Sequence, residues 1–474
     1  MQIPTALKVL LQPETYRCTW QIPDNNGGES IELSGDLNLR RDRSPEGTIY
    51  GEIPNIKRSS DAGGAGFPQE HTYPALRCNL ENGRVATLLD CTVSAWQPDM
   101  AIIFAKCALV GFEPLETILF DRIKIQISNI DSNFGVSPIG RHTIPTLDNP
   151  YGSWSVEQNP ESSQTWGDEY ATLIASYDSS ITAADPYYFR MCYSPAVLID
   201  SSSPLTFEEA LDEWVQPLLN VAALSMNRPQ KITFLSLGNR TSVVGEQGWN
   251  NYQVYGTGLT QEPFNSSYSE IRQNRSVLNW KSDEVSPLTL LRNWQKLTTE
   301  HHPLIETYGS FLNVQAQHPR ARFLLLIQAL EGLHGHEHAQ EERERTERHL
   351  ERRTQILDSF KGCMALNNDA KKFLKTNLSK RPPVSLDSRL RECFESIPGD
   401  TLTRLQETEI VTELGVDPAN ALRIIRNDLA HGNRGYQSQD LHAVSKIIEC
   451  AARAHFMRIL GAGEDVQERA FQSD

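Results

Sequence analysis

Along the first two hundred residues, apolar side chains recur at every second position. In ESIELSGDLNLR, Ile31, Leu33, Leu37 and Leu39 alternate with polar residues, the pattern of a half-buried strand. Ile123, Ile125 and Ile127 repeat it, and the aromatic-rich YYFRMCY at 187–193 is also strand-like. MAIIFAKCALVGF reads as one more fully buried strand. Clusters such as DNNGG, SSDAGGAGFP and DNPYGS separate these runs with turn chemistry. Many short strands at this spacing predict a sandwich or barrel of antiparallel pairs.

The period then becomes helical. Thr206 and Glu209 make a capping box, and Phe207, Leu211, Trp214, Leu218 and Val221 follow on one face. Pro217 predicts a kink in that helix. KITFLSLG returns to strand, and the polar stretch 239–284 holds two weaker strand signals. From about 286 onward the pattern is helical. RARFLLLIQALEGLH sets Phe323, Leu326, Ile327, Leu330 and Leu333 on a wide stripe, whereas HEHAQEERERTERHLERR is an exposed helix or a loop. Shorter helices near 355–378 and 386–397 flank the SKRPPVS break. Asp417 and Pro418 start a helix through Leu422, Ile425 and Leu429, and Gly432 ends it. The last helix lines up Leu441, Val444, Ile448, Ala451, His455 and Ile459. Four or five such helices predict a bundle. The expected architecture is an α+β multidomain chain: a β-rich domain over 1–200, an α/β extension over 201–300 and an all-α domain over 301–474.

With 39% hydrophobic residues, the 474-residue chain can bury sizeable cores. No run approaches the roughly 18–20 apolar residues of a spanning helix, which excludes an integral helical membrane protein. The amino terminus shows no basic leader or cleavage site, so a cytoplasmic protein is expected. Eight scattered cysteines without a CxxC pair argue for reduced thiols and against structural zinc. A net charge of −15 speaks against a nucleic-acid partner until its distribution is considered. Residues 1–300 carry 22 basic and 35 acidic residues, and 301–474 carry 23 and 25. Lys361, Lys371, Lys372, Lys375, Lys380, Arg381, Arg389 and Arg391 face only Asp369 and Asp387 within 361–391. A positive patch therefore sits in the helical half.

The most informative segment is ALRIIRNDLAHGNRGY. Arg426, Asn427 and His431 are polar residues within an apolar helical pattern, and Asn427 and His431 share a face at i, i+4. A permanently charged guanidinium and a titratable imidazole suit phosphodiester chemistry, one stabilising phosphorane charge and the other moving a proton. The bare spacing is weak evidence: roughly two or three Arg-x(4–6)-His matches arise by chance, and Arg343 with His349 is one.

R-N-D-L-A-H on the penultimate long helix resembles the R-x(4–6)-H signature of the HEPN superfamily of ribonucleases. LLLIQALEGLH resembles that domain's opening helix, with Glu331 where many members carry an acidic residue. The whole chain is similar to ApeA-type anti-phage defence proteins, in which a β-rich N-terminal domain precedes an HEPN domain. LTFEEALDEWVQPLLNVAAL followed by KITFLSL carries the N-terminal resemblance. The resemblance implies a metal-independent endoribonuclease without cofactors, regulated by an N-terminal sensor of a phage-derived trigger and causing abortive infection. In it His431 is the general acid or base, Arg426 the charge stabiliser and Asn427 an orienting group. RNA (tRNA or other cellular or phage RNA) is the implied substrate, and a homodimer or higher oligomer the implied assembly. Arg423, Arg434, Lys371, Lys372, Lys375, Lys380 and Arg381 become RNA-docking candidates.

Two alternatives stay open. The HEPN module serves dimerisation and binding without catalysis, or His334, His336 and His338 of HGHEH hold a hydrolytic metal. Gly335 weakens a continuous helix there, so a frayed helix end is the plainer expectation. The N-terminal tryptophans, Trp20, Trp96, Trp154, Trp166, Trp214 and Trp249, are read as core rather than a ligand groove.

Overall fold

A computed structural model describes residues 5–472 except 24–29, 55–67, 98, 116, 146–147, 149, 154, 183–188, 244–245, 267–275, 315–316, 362–366 and 381–384. Trp154, Tyr187, Tyr188, Cys363, Arg381 and most of the glycine-rich stretches at 24–28 and 59–68 lie outside the described residues. The chain divides into two units, Met1–Leu291 and Arg292–Asp474.

In the first unit the alternating pattern folds as a 13-stranded sheet of antiparallel pairs. Its strands are β1 (Thr15–Ile22), β2 (Ile31–Asn38), β3 (Glu46–Tyr50), β4 (Gln69–Leu80), β5 (Val85–Gln97), β6 (Met100–Phe104), β7 (Cys107–Gly111) and β8 (Phe120–Ile127), then five more. After a separate hairpin of β9 (Ile139–Thr143) and β10 (Ser155–Gln158) come β11 (Gln164–Gly167), β12 (Ala171–Thr182), β13 (Arg190–Leu205), β14 (Ile232–Val243) and β15 (Glu246–Gly256). The order β5-β4-β1-β2-β3-β6 closes on itself through β5–β6, making a six-stranded barrel. The remaining strands extend from β5 as β7-β15-β14-β8-β13-β12-β11.

MAIIFAKCALVGF is therefore two strands and not one. Its first half pairs with the C-terminal part of β5 and its second half with Val85–Leu89. The change of partner falls beside Asp90, which adopts a left-handed φ of 50° opposite Pro74. Pro74 has no N–H to donate, so the ladder is already interrupted at that level.

Trp20 fills the barrel and is fully buried among Leu37, Ile49, Leu88, Val93 and Ile103. Its indole N–H donates to the Thr48 carbonyl at 3.0 Å. Gly35 and Gly47 lie against the ring, where a Cβ would collide with it. Trp214 is also core, whereas Trp96 is exposed and Trp249 lies 3.7 Å beneath the Arg122 guanidinium. That guanidinium is held bidentately by Asp200, with both contacts at 2.6 Å, on the wall of a cavity of about 610 Å³.

Short helices α1 (Asp131–Phe134) and α2 (Phe207–Glu209) lie in the same unit; the capping box of α2 forms as expected. Around Pro217 the helical run 207–226 is unbroken but irregular: a π-helical stretch, Ala210–Val215, joins α2 to α3 (Gln216–Met226), and the widened turn falls just before the proline, which has no N–H to donate.

α4 (Pro287–Thr299) leads into the second unit. There follow α5 (Pro303–Glu306), α6 (Pro319–Glu337), α7 (Ala339–Lys361), α8 (Asn368–Asn377), α9 (Leu386–Glu395), α10 (Thr401–Gln406), α11 (Glu409–Leu414), α12 (Pro418–His431), α13 (Ser438–Ile459) and α14 (Glu464–Gln472). The bundle is thus more subdivided than four or five helices. The apolar stripe of α6 packs on α13, and α9 and α12 pack on α6. Arg322 pairs with the largely buried Glu449 beneath them, and Tyr308 donates to the same carboxylate at 3.1 Å. The charged α7 buries no residue and is an exposed helix. No described helix is long and apolar enough to cross a membrane. The seven described cysteines form no disulfide.

Candidate active site

The RNDLAH segment lies on α12, whose ends are set by local chemistry. Asp417 accepts from the Asn420 N–H, Pro418 occupies the first turn, and Gly432 closes the helix at φ 71°. Ala419, Leu422, Ile425 and Leu429 are buried, so Arg423, Arg426 and Asn427 emerge along the partly exposed side.

These side chains line an open groove together with Asn420, Glu331 of α6, and Ser385, Leu386 and Asp387 at the start of α9. Arg426 Nη1 donates to Asn427 Oδ1 at 3.2 Å, and its Nη2 lies 3.9 Å from Glu331 Oε2. The other Glu331 oxygen faces Arg389 at 3.7 Å, and Arg389 also pairs with Glu342 at 2.6 Å. Arg423 is clamped by Asn420 Oδ1 and by Asp387 at 3.5 Å. Asp387 is held below the usual carboxylate range, first by the Ser385 hydroxyl and then by Arg423 and Arg391.

His431 is the last residue of α12, outside the groove lining, and exposed. Among the described residues its imidazole has no hydrogen-bond or ionic partner. It stands five positions after Arg426, which turns the two side chains apart by about 140° around the helix. The structure therefore joins Arg426 and Asn427 but does not bring His431 to Arg426 within one chain. Beyond the cap, Tyr436 donates to Asp428 at 2.6 Å and folds the 432–437 loop against α12. Burial, and then that bond, pushes the Tyr436 phenol up to about 12. Arg434 lies 5.0 Å over the Tyr436 ring and is exposed.

The expected basic patch is divided. Lys371, Lys372 and Lys375 sit on α8 and Lys380 just after it, all outside the groove. Arg353 of α7 holds α8 through the Lys375 and Leu378 carbonyls at 2.9 and 3.0 Å. Arg389 and Arg391 are not open cations: the first pairs with Glu331 and Glu342, the second with Asp417 at 2.6 Å. Arg381 lies outside the described residues.

HGHEH departs from both expectations. α6 continues through Gly335 to Glu337, so the end is not frayed. The trio His334, His336 and His338 does not assemble, because His336 turns to the His302 ring at 4.5 Å. His334 and His338 instead meet Glu392 of α9. Nothing in one chain's periodicity pairs α9 with α6 or α12, so neither Glu392 nor the pairing of Asp387 with Arg423 shows in the sequence. Asn420 was within reach, standing at i−3 of Arg423.

The sequence model described as ApeA N-terminal domain 1 matches residues 15–294, and that described as Apea-like HEPN matches residues 324–466. Comparison with curated proteins and with solved structures gave no significant match. The first family match alone spans more than half of the chain, and with the second it covers both the barrel-bearing unit and the helices around Arg426. The chain belongs to the ApeA-type family, an ApeA N-terminal domain followed by an HEPN domain.

Proposed function

We propose that this protein is an anti-phage effector whose HEPN domain cleaves RNA and whose N-terminal domain senses infection. The observation that carries the reading is the arrangement on α12. Arg426 and Asn427 present a guanidinium and an amide in an open groove, and His431 stands unpartnered at the helix end. In this mechanism the ribose 2′-hydroxyl attacks the adjacent phosphorus and loses its proton to a base. The P–O5′ bond breaks, the leaving oxygen takes a proton, and the products are a 2′,3′-cyclic phosphate and a 5′-hydroxyl. His431 moves the proton, Arg426 stabilises the phosphorane charge and Asn427 orients the Arg426 guanidinium. The divergence of Arg426 and His431 within one chain is resolved when a second copy supplies the missing partner. This chemistry runs on side chains and calls for no metal in the groove. Arg434 and the α8 lysines serve as RNA-docking groups, and the cavity under Arg122 is the place in the N-terminal domain for a trigger.

One observation favours the non-catalytic alternative: Arg426 is already engaged by Glu331 and Asn427, as a structural arginine would be. Purified protein incubated with RNA decides between the two. Cleavage lost in both Arg426→Ala and His431→Ala supports the nuclease, and cleavage surviving both substitutions contradicts it.

A further inference from the structure

We propose that His334, His338 and Glu392 form a binding site for a divalent transition metal of the zinc class, joining the end of α6 to α9. His334 and His338 stand one helical turn apart, with ring centroids 4.2 Å apart and 17° between ring planes. Glu392 reaches them from α9, its Oε2 2.7 Å from His334 Nε2. One donor atom from each of the three lies within 4.8 Å of the others. Zinc bonds of about 2.0–2.1 Å place tetrahedral donors about 3.3 Å apart, so side-chain shifts on the order of 1 Å close the set.

The state of the two rings supports a ligand role. His334 is 6% exposed, and its Nδ1 has no hydrogen-bond partner among the described residues. A buried polar atom left this way is uncommon, and the ring is held at one nitrogen only. His338 Nδ1 faces the His334 carbonyl at 3.1 Å. A carbonyl only accepts, so that nitrogen carries a proton and Nε2 is the atom left for a metal, as in metal-bound histidines oriented by a backbone oxygen.

Two imidazoles and a carboxylate select zinc, cobalt or nickel over calcium or magnesium. Glu392 is 58% exposed, which leaves the fourth position to water. With three protein donors and one open position, the expected affinity is below that of a closed four-ligand site. The site has a structural consequence, because Leu386 and Asp387 at the other end of α9 line the groove at Arg426. A metal on Glu392 fixes the helix that makes that wall. The inference does not depend on the ribonuclease reading.

The test uses the full chain without a polyhistidine tag, stripped with chelator and reloaded with Zn²⁺ or Co²⁺. Expected are one metal per chain by elemental analysis, visible d–d absorption from Co²⁺, and a thermal midpoint raised by Zn²⁺. Glu392→Gln and His338→Gln should each weaken uptake by on the order of 100-fold or more, beyond the roughly 10–100-fold that outer hydrogen-bond partners contribute. Glu392→Gln keeps the side chain's shape at an exposed position, so its loss of binding is not a folding defect. His336→Gln should bind as the wild type does. Absence of stoichiometric uptake overturns the proposal, and so does uptake unchanged in Glu392→Gln and His338→Gln. RNA cleavage is not among the readouts, so the fate of the Arg426 and His431 reading leaves this result untouched.

Discussion

Arg426 Nη2 lies 3.9 Å from Glu331 Oε2, across the packing of α12 on α6. The two side chains are 38% and 34% exposed, a setting in which an ion pair contributes about 0–1 kcal/mol. The pair therefore orients the guanidinium more than it stabilises the fold. Glu331→Gln is expected to cost no more than about 1 kcal/mol in denaturant unfolding. In a cleavage assay it should lower the rate no more than about 10-fold, against roughly 10²–10³ for Arg426→Ala. Equal losses in the two variants would place Glu331 in the chemistry itself.

If Arg426 and His431 act from different copies, two dead variants complement each other. In a mixture of Arg426→Ala with His431→Ala, half of the dimers are mixed and each restores one of its two clefts. Cleavage should recover to about a quarter of the wild-type level once subunits exchange. A site built within a single chain shows no recovery.

Stability of the helical unit should fall on mild acidification. Burial holds His302 down to about 4, with His336 adding repulsion, and burial holds His455 to about 4, with Arg458 contributing. The His455 tautomer agrees: its Nε2 faces the Cys393 carbonyl at 3.0 Å, and its Nδ1 faces the Arg458 guanidinium at 3.3 Å. The ordinary value of 6.5 applies in the unfolded chain, so protonation favours unfolding. The contribution is complete above about pH 6.5, shrinks as pH falls toward 4 and levels off below. Between pH 7 and 5 each histidine costs about 2 kcal/mol, read as a falling unfolding midpoint. His302→Asn retains an N-cap acceptor for the Leu304 N–H and should remove about half of that pH dependence.

The barrel supplies a test of packing. A Cβ at Gly35 would run into the Thr48 carbonyl and the Trp20 ring, which are already joined by a hydrogen bond. Gly35→Ala should destabilise the N-terminal unit by about 1–3 kcal/mol in denaturant unfolding. Gly83→Ala, at a φ of 77° but facing open space, tests strain without collision and should cost less.

Local chemistry was legible in the sequence. The Thr206 box, the Asp417 and Pro418 start and the Gly432 end depend on residues within a turn of one another, and all three form. Alternation around Leu37 and Leu39 marked the barrel's inner face. Sheet closure did not show, because the switch of β5 from β7 to β6 depends on pairing across distant segments. The groove was half visible for the same reason. Arg426 and Asn427 are neighbours in sequence, whereas Asp387 and Glu392 reach their partners only through the packing of α9. Charge counting also misled at Arg389 and Arg391, whose acidic partners lie elsewhere in the chain.

The most direct test expresses the wild type and His431→Ala in bacteria, challenges both with a panel of phages and maps RNA 5′-hydroxyl ends by sequencing. New 5′-hydroxyl ends and blocked phage growth are expected in the wild type, and neither with His431→Ala. Phage protection without ends that depend on His431 would contradict the ribonuclease reading.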